Sequence, residues 1–576
     1  MAPGGATSFL SVHFRIFTGS FLLLPNWDCR HWLCSPPAAK ILLSALPIDY
    51  TNRMTKDPTS EFASPSATAA AGGTIGAGPL KDDQAFFGHP RGLSTLFFTE
   101  MWERFSYYGM RAILILFMTA AAAEGGLGMD TQQAGAIYGL YTAFVYLLAL
   151  PGGWIADRLI GQRTAVLYGG IIIAAGHFSM AIPAITGALG VLPPFFAGLA
   201  LIVVGTGLLK PNVSTMVGEL YSRDDSRRDA GFSIFYMGIN LGAFIAPIVT
   251  GYLGESINWH LGFAAAGLGM VLGVIQYLAG AGNLGTAGLR PNMEMEPRLT
   301  GSGSSILALA VVAILVLFIA MLQLFGVVDL TTAVGIAGAS GVIIVALSLT
   351  YFGYMFVAGG LNPVEKRRMS VIVVLFFFSA VFWSGFEQAG SSLNLFARDL
   401  TNRTIGGWEM PASWLQSVNS IFIILLAPVF AWFWVWSSRR RLEPSSPIKF
   451  AFGLVFLGLG FLVMVGASSR ALSGEQVSPM WLVLTYLLHT MGELALSPVG
   501  LSTVTRLAPH RMVGQMMGVW FMSIALGNLI AGQVAGLFDT LPLMQLFGAV
   551  AATAIGAGLI LGLLSRPVRV LMGGIH

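Results

Sequence analysis

Between Gly92 and Ser565 the chain is a near-continuous series of apolar runs, separated only by short polar breaks. Most runs reach the roughly 20 residues that a helix needs to cross a bilayer core. In that core each backbone N–H and C=O must be satisfied within its own segment, so runs of this length become helices. The composition agrees. Of 576 residues, 55% are apolar and 10% are charged, where a soluble protein carries about 25% charged residues. So few charges cannot clothe a soluble fold of this size, and such hydrophobicity excludes a disordered chain. The expected fold class is an all-α polytopic membrane protein. The 71 glycines suit helices that pack closely without water to drive them together.

The spans are expected at 94–122, 132–156, 163–184, 192–219, 229–253 and 260–281, then 303–326 and 331–357. A second set follows at 370–397, 411–436, 447–469, 478–507, 512–537 and 542–565. The arrangement is six, two, six, fourteen spans in all. It implies an N-terminal bundle over 86–285, a linker and two extra helices over 286–365, a C-terminal bundle over 366–566 and a tail over 567–576. Alternate loops differ sharply in charge. One set, from Arg158 and Arg163 to Arg566 and Arg569, holds 18 cationic residues; the other holds only Arg398, Arg403 and Arg470. The positive-inside rule then puts both termini in the cytoplasm of a plasma (bacterial inner) membrane protein.

Residues 1–85 differ from the rest. The stretch to Pro47 mixes Trp, Cys, His and Pro without a period, and 55–80 is rich in Ala, Gly, Ser, Thr and Pro. A flexible extension is one expectation; a mis-translated leader before a true start at Met54 is the other. Both cysteines, Cys29 and Cys34, fall here, so the hydrophobic body holds no disulfide or thiolate metal site. The eight histidines form no ligand motif, and metal chemistry is not expected. The net charge of +4 comes with no basic tract suited to nucleic acid.

Seven charges remain inside spans: Glu100, Glu103, Arg104, Arg111, Lys210, Glu387 and Glu493. Unpaired, they would cost roughly 20 kcal/mol together. They must pair, take up protons or face water. On the first span Glu100, Glu103, Arg104, Tyr107, Tyr108 and Arg111 follow at offsets of 0, 3, 4, 7, 8 and 11, one helical stripe. The stripe forms either a structural ion-pair seam or the wall of a wet polar cavity. Lys210 precedes Pro211 in mid-span, where the helix can kink; a lysine snorkelling to the interface is the plainer alternative. Asn240 is a cavity candidate or an interhelical hydrogen-bonding group. Glu387 and Glu493 have no cation one turn away, which makes them candidate proton carriers. His489, one turn before Glu493, either shares its proton or packs. Asn419 and Trp520 are weaker candidates for the same cavity.

Several segments match a known family. EMWERFSYYG resembles the ExxERFxYYG signature of the proton-dependent oligopeptide transporters. GLLKPNVSTMVGELY and FSIFYMGINLGAF resemble two further signatures, and GGWIADRLIGQR is similar to the loop motif of the major facilitator superfamily. FEQAGSSLNLFA and GELALSPVGLSTVTRLAP also match, and the likeness runs from about Phe86 to Ser565. The resemblance implies the major facilitator fold, with the central helix pair of prokaryotic members. It implies import of di- and tripeptides, protons as the coupling ion, no other cofactor and a monomer. It assigns proton coupling to Glu100, Glu103, Arg104, Glu387 and Glu493. Arg111 and Lys210 would meet the peptide carboxylate, Glu387 and Asn419 its amino end, and Arg104 would also contact the substrate. Tyr107, Tyr108, Tyr146, Asn240, Trp383 and Trp520 would shape side-chain pockets. The histidine that animal members carry in the second span is absent from YGLYTAFVYLLALPGGW. Three other readings compete: another small solute such as nitrate or an amino acid, an intramembrane enzyme, and a channel. No metal pair, serine–histidine pair or aspartyl dyad supports an enzyme, and no filter-like repeat supports a channel.

Overall fold

The computed structural model describes residues 83–186, 190–222, 225–289, 321, 323–326 and 329–573. Nearly all of the expected N-terminal extension, with its candidate start at Met54, lies outside them. So does most of the expected span 303–326.

The N-terminal half is built from α1 (Arg91–Thr119), α2 (Thr131–Ile160), α3 (Gln162–Thr186), α4 (Leu192–Glu219), α5 (Arg228–Ser256) and α6 (Trp259–Gly280). Helix α7 (Ala333–Ala358) follows. The C-terminal half contains α8 (Pro363–Phe386), α9 (Ser392–Asp399), α10 (Ser417–Arg439), α11 (Ser446–Ala471), α12 (Met480–Leu507), α13 (Val513–Ala535) and α14 (Leu543–Leu563). A short helix α15 (Ser565–Leu571) closes the chain. Among the described residues, twelve helical segments are long and apolar enough to cross a membrane. Helix α1 is long enough but is not one of them. No 18-residue stretch of it has fewer than three charges, so it depends on partners that the other spans do not need.

Element ends follow local chemistry. Helix α8 starts seven residues before the expected 370 because Asn362 opens a capping box. Its Oδ1 accepts the N–H groups of Val364 and Glu365, and Glu365 returns a bond to the Asn362 N–H. The expected span 370–397 is not continuous. A 3-10 turn at Glu387–Gly390 separates α8 from α9, and such a mid-helix break often marks a functional hinge. Between α9 and α10 a small antiparallel hairpin pairs β1 (Thr404–Ile405) with β2 (Trp408–Glu409). Gly406 and Gly407 turn it with φ of 60° and 84°, the left-handed geometry that a two-residue hairpin loop requires. Ahead of α1, His89 shares a 2.9 Å hydrogen bond with Tyr221, and Arg227 donates to the Gly88 carbonyl at 3.2 Å. This ties the entry of α1 to the loop between α4 and α5. Burial, with Arg227 nearby, holds the His89 imidazole below its ordinary pKa.

Within the N-terminal half α1 packs on α5 and α6, and α3 on α4 and α6. In the other half α11 packs on α12 and α14, and α8 on α13. The halves meet chiefly along α2 and α13, and again along α5 and α10. Helix α7 lies against both α2 and α13. The α2–α13 contact is made by two Gly-x-x-x-Gly pairs, Gly135/Gly139 and Gly532/Gly536, facing each other. Small residues at this spacing let two backbones approach closely. A Cβ on Gly135 would stand 2.5 Å from the Gly532 carbonyl oxygen, and one on Gly139 would stand 3.1 Å from the Gly532 Cα. Both are backbone atoms that cannot swing aside. Gly135→Val is therefore expected to separate the halves at this end, with an overpacking cost of roughly 1–3 kcal/mol. Thermal unfolding of the purified protein in detergent checks this; an unchanged midpoint would mean that the two helices do not approach as described.

Candidate functional site

The charge stripe of α1 is buried, and its members find partners. Arg104 Nε lies 2.7 Å from Glu100 Oε1 and 3.0 Å from Glu103 Oε2. All three side chains are at most 6% exposed. The helix supplies the geometry, because residues three and four apart stack on one face. Gly242 of α5 lets the backbone of α1 come close beside Arg104, since a Cβ there would stand 3.0 Å from that of Arg104. One guanidinium serves two carboxylates, so the cluster holds one negative charge in excess. Among the described residues, Glu100 Oε2 and Glu103 Oε1 have no hydrogen-bond partner.

Two turns along the same stripe, Arg111 reaches the other half. Its Nη2 is 2.8 Å from Glu387 Oε2, with both side chains buried. Its Nε donates to the Tyr138 hydroxyl of α2 at 2.7 Å, and its guanidinium lies 5.7 Å from the centre of the Tyr108 ring. Glu387 is the first residue of the 3-10 turn, so the break in the helix carries the carboxylate. The expectation put Arg111 and Glu387 at opposite ends of a substrate clamp. The structure instead joins them directly. Their offset along the sequence, 276 positions, hid a partner that no one-turn search could find.

Beside this pair lies a cavity of about 180 Å³ between the halves. It is lined by Tyr108, Arg111, Tyr146 and Asn240 from one half and by Trp383, Glu387, Asn419 and Glu493 from the other. Eight of the candidates are therefore gathered at one place. Asn240 Nδ2 donates to the Tyr236 carbonyl of its own helix at 3.0 Å, so it faces the cavity rather than bonding across helices. Asn419 Nδ2 donates to Thr490 Oγ1 of α12 at 2.9 Å. Lys210 stands just behind the wall. Its Nζ lies 3.7 Å from the centre of the Tyr146 ring, close enough for a strong cation–π contact. Among the described residues no carboxylate forms an ion pair with it.

Other expected residues take different places; Arg104, held by Glu100 and Glu103, is not among those lining the cavity. Tyr107 is buried against the rings of Tyr108 and Tyr141, and it is not among the residues lining the cavity. Trp520 is 5% exposed and packs edge-on against Phe450. It fills core space behind the cavity. His489 makes no hydrogen bond to Glu493; its ring rests 4.9 Å from that of Phe461. Several lining residues escaped the sequence reading: Tyr236, Phe386, Gln416 and Tyr486. Tyr138, the partner of Arg111, escaped too. It shares a helical stripe with Tyr141 and Tyr146 on α2, a pattern visible in YGLYTAFVY.

A second cavity, of about 450 Å³, adjoins the first and shares Tyr236, Glu493 and Ser497 with it. It runs to Glu443, Lys449 and Arg506, at the helix ends that carry the cation-rich loops. Glu493 thus stands where the two spaces meet. On the cation-poor face the halves are sewn together instead. Asn394 and Gln416 both donate to the Ala112 carbonyl, at 2.7 and 3.2 Å. Arg398 donates to Thr119 at 2.6 Å, Trp414 to the Ile248 carbonyl at 2.9 Å and Ser417 to the Phe244 carbonyl at 2.8 Å.

This arrangement has known counterparts. Residues 163–550 match the model of the POT family. A peptide transporter of Yersinia enterocolitica is 44% identical over 503 residues, covering 85% of this chain and 96% of that protein. A di-/tripeptide transporter of Lactococcus lactis is 37% identical, covering 86% and 99%. The crystal structure of a peptide transporter POT in complex with sulfate superposes with a TM-score of 0.76 at 43% identity, covering 85% of this chain and 98% of that one. The chain belongs to the POT family of transporters.

Proposed function

We propose that this chain imports di- and tripeptides together with protons by alternating access. The observation that carries the reading is the cavity between the halves, with Arg111, and Lys210 behind the Tyr146 ring, on one side and Glu387 and Glu493 on the other. A short peptide is a zwitterion whose carboxylate and ammonium lie a nearly constant distance apart. Its carboxylate suits Arg111 and Lys210; its ammonium suits Glu387, Glu493 and the Asn419 amide. Charge-assisted hydrogen bonds of this kind are about twice as strong as neutral ones. Tyr108, Tyr146, Asn240 and Trp383 border the space left for side chains, with few groups that would select among them.

The proton reading rests on charge. The core holds four carboxyls, Glu100, Glu103, Glu387 and Glu493, against three cations, Arg104, Arg111 and Lys210. With all of them ionised, one negative charge is left over, which a single proton neutralises. A proton on Glu387 also removes the attraction that joins the halves at Arg111. A proton on Glu103 or Glu100 lets Arg104 settle on one partner. Protonation would thus shift the balance between states through differential affinity. The cation-rich loops face the cytoplasm under the positive-inside rule. This form is then closed to the outside and leads inward through the second cavity. The chain is a monomeric transporter rather than an enzyme, with protons its only cofactor.

The reading is tested by uptake of labelled dialanine into proteoliposomes under an imposed proton gradient; proton movement without dialanine accumulation would end it. Lys210→Ala should abolish driven uptake, because among the described residues no carboxylate pairs with Lys210 behind the Tyr146 wall, which leaves its charge for a substrate carboxylate. Wild-type accumulation in this variant would exclude that role. Glu387→Gln should remove gradient-driven uptake and spare peptide exchange. An unaltered pH dependence of uptake in that variant would take Glu387 off the proton route.

A further inference from the structure

One carboxylate at the junction of the halves has no part in the central cavity. Glu255 is the second-last residue of α5. A negative charge at a helix C-terminus is unfavourable, because the last carbonyls already carry partial negative charge. Its own half therefore gives no reason for an acid there. The reason lies across the seam. Glu255 Oε2 accepts the Ala412 N–H at 2.7 Å, and Oε1 accepts the Ser413 N–H at 3.0 Å. These amides open the 3-10 turn Ala412–Gln416, which runs directly into α10. The first amides of a helix have no partner within it and carry its positive end. A carboxylate from one half thus caps a helix of the other, one oxygen to each amide. Trp414, Gln416 and Ser417, the next residues of the same segment, also donate to α1 and α5. Within this α5–α10 contact Glu255 is the acceptor that a proton can remove.

We propose that Glu255 is a positioning residue for α10: a latch that holds the cation-poor face closed while ionised and releases it when protonated. This rests on the transport reading above, in which that face looks outward and meets the incoming protons. A neutral carboxylic acid keeps one good acceptor oxygen and turns the other into a donor aimed at an N–H. One of the two amide bonds is then lost, and the helix cap loses its charge. Other charged groups share the seam. Arg403 lies near Glu255 and is itself paired with Glu409 at 2.7 Å. Asp539 accepts from Thr131 at the α2–α13 contact, Glu387 holds Arg111, and Arg398 is paired with Asp399. Of these acids, Glu387, Asp539 and Glu255 each bond across the halves, so the test must separate them.

Spin labels at Ala122 and Ser473, exposed loop positions of the two halves, report the opening of this face. They are introduced as Ala122→Cys and Ser473→Cys in the full chain carrying Cys29→Ser and Cys34→Ser, reconstituted in lipid nanodiscs without peptide. At pH 8 the wild type should show the shorter distance. Glu255→Gln should raise the ratio of long to short distances about tenfold at the same pH, the scale of one lost charge-assisted bond. Glu387→Gln/Asp539→Asn should still respond to acidification to pH 5, whereas the same variant with Glu255→Gln added should not. Superimposable distances in Glu255→Gln and wild type at both pH values would overturn the proposal. So would a pH response that survives in the triple variant. Should the substitutions prevent folding, hydrogen exchange of the wild-type segment 411–417 decides. Corrected for the intrinsic pH effect, its protection should fall between pH 8 and pH 5, and constant protection would refute the latch. Neither measurement contains a substrate, so a failed dialanine experiment and a failed latch remain distinct results.

Discussion

The structure turns on one ion pair. Arg111 and Glu387 come from different halves, both are buried, and they lie 2.8 Å apart. A buried pair gains little net stability over an apolar alternative, yet removing one partner strands the other charge at a cost of about 3–5 kcal/mol. That asymmetry makes such a pair a poor girder and a good switch. Everything around it serves to make its breakage conditional. Tyr138 holds the guanidinium from the second side, and the 3-10 break at the end of α8 presents the carboxylate. Asn394 and Gln416 fasten the adjacent Ala112 carbonyl.

The glycine contact between α2 and α13 supplies the complementary property. The glycines themselves carry no charge to neutralise and no long side chain to reorder, so two backbones can meet and part there without rearranging rotamers. Close packing of this kind is short in range, and it is lost once the helices separate by an ångström or so. The polar seam and the glycine seam are therefore cooperative: while the ion pair and caps hold, the backbones remain in contact. Helix α7 lies against α2 and α13 together, and its Tyr351 hydroxyl donates to Gln515 of α13 at 2.9 Å. This helix thus touches both partners of the contact that has to open.

Much of this was legible in the residues. Apolar run lengths located the spans because the bilayer admits little else, and the capping signal Asn362–Pro363–Val364–Glu365 could have placed the start of α8 as well. The stripe on α1 was visible because a helix converts offsets of three and four into one face. The Arg104 cluster, made within a single helix, followed from it. Arg111–Glu387 did not, since pairing between two helices distant in sequence depends on how whole bundles dock. The same limit hid Glu255, whose partners are backbone amides and leave no signature in residue types. Trp520 shows the converse. The family resemblance placed it near the site, but only packing decides whether a ring faces a cavity or fills the core behind it.

The pairing also explains why substrate and proton can act on one element. A zwitterionic peptide adds no net charge to the cavity. If its carboxylate takes Arg111 and its ammonium takes Glu387, the internal pair is exchanged for two external ones and neither buried charge is left alone. Peptide can therefore part the two side chains without the penalty of a stranded ion. A proton achieves the same separation differently, by neutralising the acid and leaving Arg111 to Tyr138 and an incoming carboxylate. The ammonium of Lys210, without an ion-pair partner among the described residues and 3.7 Å from the centre of the Tyr146 ring, stands ready for the same carboxylate. A proton alone leaves Arg111 without a carboxylate, and the peptide supplies one. Together they satisfy every buried charge in both arrangements, which is the physical condition for moving one with the other.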